Sequence, residues 1–438
     1  MESTLFGLIG LLCLPILLAA GVHIAVVLAL IGLGGVIAVV GFDRAMWMLT
    51  TNFYATTDTF IMIVIPLFVF MGLVAAKGGI TRDLYNGLSM WLGKLRAGLG
   101  IATVFGCAAF GTVCGASLVT ASVFAKVSAP EMRKHGYNKS LAYGICASAG
   151  MIGMLVPPSI FIVIYGVLTE QSIGRLLMAG LAVGLLVTAF FSLGLIVLSK
   201  IKPSLFGEGP LAKITWRQRF VSLKLFWPFT IIATIVIGGI FGGIFSPTEA
   251  GSIAALTVLV VGLFTTGKNR WKEVANGLIE TASVTGMIFL ILGGAAMFSR
   301  FLALTGVAAL IMETVLSWNL SILGLIFVLV VIFLFMGTLM DAVSAMVISV
   351  PMFYPVILAS GVDPIWFAMV ATLGLEIGVI TPPVGLNVYA VKGVAEADVS
   401  LEDVFRGITL FFFLDLMALL VVIFVPKVST ILPSLMMG

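Results

Sequence analysis

Apolar stretches of about twenty residues recur along the whole chain, and no other feature restricts its fold as strongly. They lie at 5–22, 24–40, 59–76, 140–168, 176–199, 225–245, 249–266, 281–299, 364–391 and 407–426. A helix needs roughly 20 apolar residues to cross the hydrocarbon core of a bilayer. The pattern therefore predicts an all-α polytopic membrane protein with about ten full spans. Composition agrees: of 438 residues, 61% are hydrophobic and 10% charged, against about 25% charged in a soluble domain. Met1 to Thr4 carry no basic residue of the kind that opens a secretory signal, so 5–22 reads as a retained first span.

Charge placement supplies the orientation. Lys77, Arg82, Lys94, Arg96; Arg133, Lys134, Lys139; Lys200, Lys202, Lys213, Arg217, Arg219, Lys224; Lys268, Arg270, Lys272; and Lys392, Arg406 make up 18 of the 23 basic residues. The positive-inside rule assigns their loops to the cytoplasm and the N-terminus to the periplasm. Residues 97–125 then have both ends on one side, which a single crossing cannot satisfy. A re-entrant hairpin can, with arms near 98–110 and 117–130 and a turn at "GTVCGAS" (111–117). The other reading is a Gly-rich packing helix beside one misplaced basic loop. From 301 to 391 there is no Lys or Arg. The stretch 319–355 accordingly reads as a second hairpin, entering from outside and turning at "GTLMDAV" (337–343). Lys126 is expected to snorkel from the first hairpin to the cytoplasmic interface.

Two more segments repeat. "GMLVPPSIF" (153–161) returns 225 residues later as "GVITPPVGL" (378–386), each placing Pro-Pro inside an apolar run. Proline removes a helical hydrogen bond and clashes with the preceding turn, so 140–168 and 364–391 are predicted to be broken helices. Trp47 and Trp271 mark amphipathic segments at nearly the same spacing. The chain thus divides into repeats at 1–199 and 225–438, joined by a basic linker at 200–224 that holds Pro203, Gly207, Gly209 and Pro210. Five full spans per repeat is an odd number, so the second repeat is inverted. Inverted repeats with discontinuous helices are the architecture of secondary transporters.

The residues also resemble a known family. "FSPTEAGS" (245–252), "GVDPIWFAMV" (361–370), "LEIGVITPPVGLNVY" (375–389), "APEMRKHGY" and "GMLVPPSIFIVIYGVL" are similar to the large membrane subunit of tripartite ATP-independent periplasmic (TRAP) transporters. That resemblance spans nearly the whole chain. It implies a sodium-driven importer of organic-acid anions in the bacterial inner membrane, working by an elevator mechanism. The implied partners are a small membrane subunit of about four spans and a periplasmic substrate-binding protein. Family members often carry several serines at the first hairpin tip; here Cys114 and Ala116 occupy that region, leaving Thr112 and Ser117.

Unwound backbone leaves carbonyls without intrahelical partners. Such hard oxygens suit a desolvated Na⁺, while half-helix N-termini favour an anion. Two sodium sites are expected: one from Gly111 and Thr112 with Gly153, Val156 and Pro158, the other from Gly337 and Thr338 with Gly378, Thr381 and Pro383. Substrate is expected between the tips, near Ser117, Ser159 and Asn387; Asn387 equally suits an inter-helix hydrogen bond. Asp341 and Glu376 are intramembrane acids, suited to cation binding or to bracing a hairpin. Glu249 suits a helix cap behind Ser246-Pro247.

Other chemistries find no support. There is no Walker A loop, no HExxH, no zinc-like Cys/His cluster and no paired catalytic aspartates of an intramembrane protease. The expectation is a transporter rather than an enzyme, with no cofactor beyond Na⁺, no transition metal and no nucleic-acid partner. Cys13, Cys107, Cys114 and Cys146 read as buried free thiols. Two other transport readings stay open: a stand-alone sodium/dicarboxylate symporter that needs no binding protein, and a channel.

Overall fold

The computed structural model describes residues 2–77, 79–207, 215–265 and 270–436. Among them the chain is helical, and its one β feature is an isolated antiparallel bridge between Tyr137 and Phe206. The centre of the 200–224 linker lies outside the described residues. Its far end is the short helix Trp216–Ser222, started by a Thr215–Gln218 capping box.

The order of elements in the first half returns in the second. Ile80–Leu92, Gly98–Cys114 and Ser117–Val127 are matched by Val307–Ser317, Ile322–Leu339 and Ala342–Ala359. Lys139–Ala149 with Ile152–Leu155 is matched by Pro364–Ile380, then Ile160–Thr169 by Leu386–Lys392, and Ile173–Ile201 by Leu401–Phe424. Seven helices among the described residues are long and apolar enough to cross a membrane, or up to eight if the pair Lys139–Leu155 and Ile160–Thr169, bent by 44°, counts as one. Five shorter apolar helices accompany them, including Gly98–Cys114 and Pro364–Ile380. Both arms of the second hairpin are among the seven, so length alone does not separate an arm from a crossing.

The hairpin turns are tighter than the sequence suggests. The inbound arm of the first continues through Gly111 and Thr112 to Cys114, and the chain reverses at Gly115 and Ala116. A helical glycine costs only about 1 kcal/mol relative to alanine, so Gly111 does not end the helix. Gly115 does, because it takes the left-handed conformation (φ 63°) that other residues avoid. In the second hairpin the reversal is confined to Met340 and Asp341.

The amphipathic segments also diverge. Trp47 lies in a separate helix, Phe42–Thr57, set off by Gly41 at φ 86°. Trp271 is instead part of one 36-residue helix, Arg270–Thr305, that runs on into the 281–299 apolar stretch. Glu249 caps its helix as expected, with Ser246 N–H donating to Oε2 at 2.8 Å and Glu249 N–H returning to Ser246 Oγ at 3.3 Å. Lys126 is exposed in the last turn of Ser117–Val127. The cysteines are free, and three are buried; Cys13 is only half-buried.

The halves interlock. Ile160–Thr169 packs on the second hairpin's outbound arm, and Leu386–Lys392 packs on the first hairpin's outbound arm. Each post-break helix is therefore held by the other half. An ion cluster ties loops of both halves: Arg133 forks onto Asp398 at 2.9 and 2.7 Å and also pairs with Glu396, while Lys139 meets Asp403 at 2.7 Å. The Arg133 guanidinium holds the Asp398 carboxyl below its usual range.

Candidate functional site

Both Pro-Pro pairs break their helices. Pro157–Pro158 and Pro382–Pro383 are both cis, and each follows an extended residue, Val156 or Thr381. Pro157 and Pro158 have no N–H to give the carbonyls of Gly153 and Met154, nor Pro382 and Pro383 those of Gly378 and Val379. Each break thus withdraws two helical donors from the turn before it. At the second, the Gly378 oxygen still accepts from Thr381 N–H at 2.8 Å, so Val379 is the residue whose oxygen loses its helical donor without that replacement.

Glycines bring the hairpins onto those turns. A Cβ on Gly111 would stand 2.8 Å from the Gly153 Cα, and one on Gly378 would stand 2.6 Å from the Gly337 Cα. No side chain fits at either crossing. Four of the residues expected at the two sites therefore meet in pairs, Gly111 with Gly153 and Gly337 with Gly378. Their glycine character is explained by close backbone packing. Gly115, at the tip, lies against the Pro158 carbonyl.

The three threonines hold similar positions. Thr112, Thr338 and Thr381 donate their hydroxyls to the carbonyls of Ala109 (2.7 Å), Phe335 (2.7 Å) and Ile377 (2.5 Å). That use leaves the lone pairs of each Oγ1 free to accept or to ligate.

A cavity of about 350 Å³ lies between the tips. Gly115 and Ser117 line it from the first hairpin, Asp341 from the second, Met154 and Ile160 from the first break, and Val379 from the second broken helix. Its walls are mostly apolar, and Asp341 is the one charged residue among those lining it. Asp341 caps the second outbound arm, accepting from Ser344 N–H at 3.0 Å and from the Ser344 hydroxyl. The first outbound arm begins at Ser117, so two helix N-termini meet the cavity.

Of the three expected substrate contacts, Ser117 reaches the cavity; the lining does not include Ser159 or Asn387. Ser159 is fully buried and caps Ile160–Thr169 by accepting from Ile162 N–H at 3.2 Å. Asn387 is fully buried and makes the inter-helix bond, donating Nδ2 to the Ala147 carbonyl at 3.3 Å. Ser117 Oγ donates to Glu376 Oε1 at 3.4 Å, which sets that buried acid directly behind the first tip.

One residue escaped the sequence reading. Asp415 is fully buried in Leu401–Phe424, and neither of its carboxyl oxygens has a hydrogen-bond partner among the described residues. A lone acid within the apolar stretch 407–426 was the available signal.

Comparison with known proteins is consistent along the chain. Residues 11–428 match the family model described as "Tripartite ATP-independent periplasmic transporter, DctM component". The C4-dicarboxylate TRAP transporter large permease protein DctM of Pseudomonas aeruginosa is 30% identical over 406 residues, covering 92% of this chain and 93% of that one. The sialic acid TRAP transporter large permease protein SiaM of Vibrio cholerae is 31% identical, covering 87% and 88%. The ectoine/5-hydroxyectoine TRAP transporter large permease protein UehC of Ruegeria pomeroyi is 29% identical, covering 85% and 86%. Among solved structures, the YdaH transporter of Alcanivorax borkumensis superposes with a TM-score of 0.59 over 90% of this chain and 88% of that one, at 16% identity. That likeness is one of fold.

Proposed function

Because this chain belongs to the DctM family, the large permease subunits of TRAP transporters, we propose that it couples Na⁺ entry to import of an organic-acid anion. The observation that carries this reading is the pair of glycine-fitted helix breaks flanking the cavity between the hairpin tips. At the first break, the ligands are backbone oxygens near Gly153 and Val156, with Gly111, Thr112 and Pro158 shaping the site. At the second they are backbone oxygens near Gly378 together with Thr381 Oγ1, with Gly337, Thr338 and Pro383 in the supporting positions. Carbonyl and hydroxyl oxygens suit a hard monovalent cation.

The cavity holds no basic side chain, so the substrate anion relies on the N-termini at Ser117 and Ala342 and on the bound Na⁺. Asp341 keeps its carboxylate on the Ser344 cap rather than on the anion. The relatives are named for C4-dicarboxylates, sialic acid and ectoines, and an organic acid carboxylate is the substrate class proposed here. The partners are a small membrane subunit and a periplasmic binding protein that delivers the substrate. The hairpins and broken helices move together as the transport domain of an elevator. The chain lies in the inner membrane with its N-terminus in the periplasm.

Proteoliposomes holding both membrane subunits, supplied with loaded binding protein, test the coupling. Uptake is expected to follow an inward Na⁺ gradient. Equal uptake on a proton gradient without Na⁺ overturns sodium coupling. Undiminished uptake of free substrate without the binding protein favours the stand-alone symporter.

A further inference from the structure

Far from the breaks and the cavity, Arg219 is a buried cation without a counter-charge among the described residues. It lies in the linker helix Trp216–Ser222 and is only 6% exposed. Its Nε and Nη2 have no hydrogen-bond partner among the described residues. A charge taken from water without an acceptor is costly, so such a group calls for an anion.

Its neighbours deepen the shortage of negative charge. The Arg219 guanidinium lies 5.1 Å from the centroid of the Trp216 ring, and Lys94 Nζ lies 5.8 Å from the same centroid. Two cations therefore share one aromatic ring. Arg96, Arg217 and Lys224 add positive charge within 84–96 and 215–227, and neither segment contains an Asp or Glu. Trp216–Ser222 packs on Ile80–Leu92 and Leu223–Phe226. The one acid of those two elements, Asp83, is exposed in the first turn of Ile80–Leu92. It sits about two turns from Trp91, whose ring meets Phe220 edge-on at 6.0 Å.

Apolar surface surrounds these charges. Trp216, Phe220, Val221, Leu223 and Trp227 are all exposed. Exposed aromatic rings beside basic side chains mark a membrane–water interface, and the positive-inside rule makes this basic face cytoplasmic. A cleft of about 620 Å³ opens there, lined by Met90 from Ile80–Leu92 and by Arg217, Gln218, Val221 and Lys224 from the linker end. A Cβ on Gly87 would stand 2.7 Å from the Phe226 ring, so the linker end is seated directly on Ile80–Leu92. An anion suited to this place needs oxygens for a guanidinium and an apolar body for the exposed rings. Free phosphate has only the first. A phospholipid has both, with phosphate oxygens that match the guanidinium fork.

We propose that Arg219 and Lys94, flanked by Arg217 and Lys224, form a site for the phosphodiester headgroup of an anionic phospholipid in the cytoplasmic leaflet. Bound there, the lipid neutralises the cluster and clamps the end of the linker onto Ile80–Leu92 of the first repeat. Lipid binding here follows from the membrane orientation proposed above and is independent of sodium coupling.

Native mass spectrometry of the purified full chain, titrated with phosphatidylglycerol or phosphatidylcholine, tests this. Wild-type protein is expected to prefer phosphatidylglycerol, by about fivefold for each basic residue engaged. Arg219→Gln and, separately, the exposed Lys94→Gln should each cut that preference about fivefold; the second variant decides the matter if the first does not fold. Arg82→Gln, outside the cluster, should leave the preference unchanged. Equal binding of the two lipids by wild-type protein overturns the proposal, as does a preference that neither cluster variant reduces or that Arg82→Gln reduces equally. Displacement of phosphatidylglycerol by inorganic phosphate assigns the site to free phosphate and overturns it. Loss of the bound lipid on adding the small membrane subunit assigns the face to that subunit and overturns it too.

Discussion

Val156 to Ser159 are buried to the last residue, whereas Pro382 and Pro383 stand exposed with Thr381 and Val384 half-covered. Both breaks carry the same cis Pro-Pro and the same glycine crossing to a hairpin arm. The difference comes from the helix that follows. Ile173–Ile201 carries Gly180 and Gly184, and at Gly184 a Cβ would stand 2.8 Å from Val156 Cγ2, so this helix closes tightly over the first break. Its counterpart Leu401–Phe424 has a single glycine, Gly407, and uses it against Gly144 in the first half. The hairpin arms follow suit. Gly98–Cys114 is buried along almost its whole length, while Ile322–Leu339 exposes Phe327, Val331, Phe335 and Leu339 along one stripe. One local motif is thus sealed in one half and open in the other, and small residues on a neighbouring helix decide which.

The strongest way to break this comparison is to refill the crossings. Gly111→Val and Gly378→Val each push a side chain into opposing backbone, and overpacking of this kind costs about 3 kcal/mol or more. Both variants are expected to lose most thermal stability in detergent, and by similar amounts. A large loss at one crossing alone would show that the two are not equivalent.

Next comes ion dependence. Thr381→Val removes one hydroxyl oxygen at the open break and is expected to raise the Na⁺ concentration for half-maximal uptake about tenfold, roughly 1.4 kcal/mol, with normal membrane insertion. Unchanged Na⁺ dependence would remove Thr381 from the second site. Accessibility is a more direct probe of sealing. In a cysteine-free background, Pro383→Cys should react with a water-soluble thiol reagent several-fold faster than Pro158→Cys. Equal rates would mean that both breaks open alike.

The smallest effect concerns the loops that tie the halves. Arg133 holds the Asp398 carboxyl below its usual range, so the stabilisation it contributes is present above the ordinary carboxylate range and is lost as pH falls through the depressed value. Asp398→Asn should lower the melting temperature slightly at neutral pH and flatten its decline in acid. Identical acid profiles would show that this exposed pair contributes nothing, a common result for surface pairs.

Much of this organisation was legible in the residues. Pro-Pro pairs marked the breaks, basic loops on both sides of 97–125 called for a hairpin, and Ser246 with Glu249 announced a cap. The turn boundaries were not legible, because Gly111 and Gly115 look alike in sequence and only the second takes a left-handed conformation. Ser159 reads in the sequence as a substrate contact; its use as the cap of Ile160–Thr169, away from the cavity lining, appears only in the fold. Asp415 was passed over because 407–426 satisfies the apolar criterion in spite of it.

The sequence by itself determined that the chain belongs in a membrane and where its helices must fail. Those outcomes follow from apolar length and from the missing N–H of proline, both properties of a few adjacent residues. Tertiary structure alone decided that Ser117 meets Glu376, 259 residues away, that Asn387 meets Ala147, 240 residues away, and that one break is sealed while its twin is open. Such contacts depend on how closely whole helices approach and in what register, and that is set by packing between distant segments, which no local run of residues encodes.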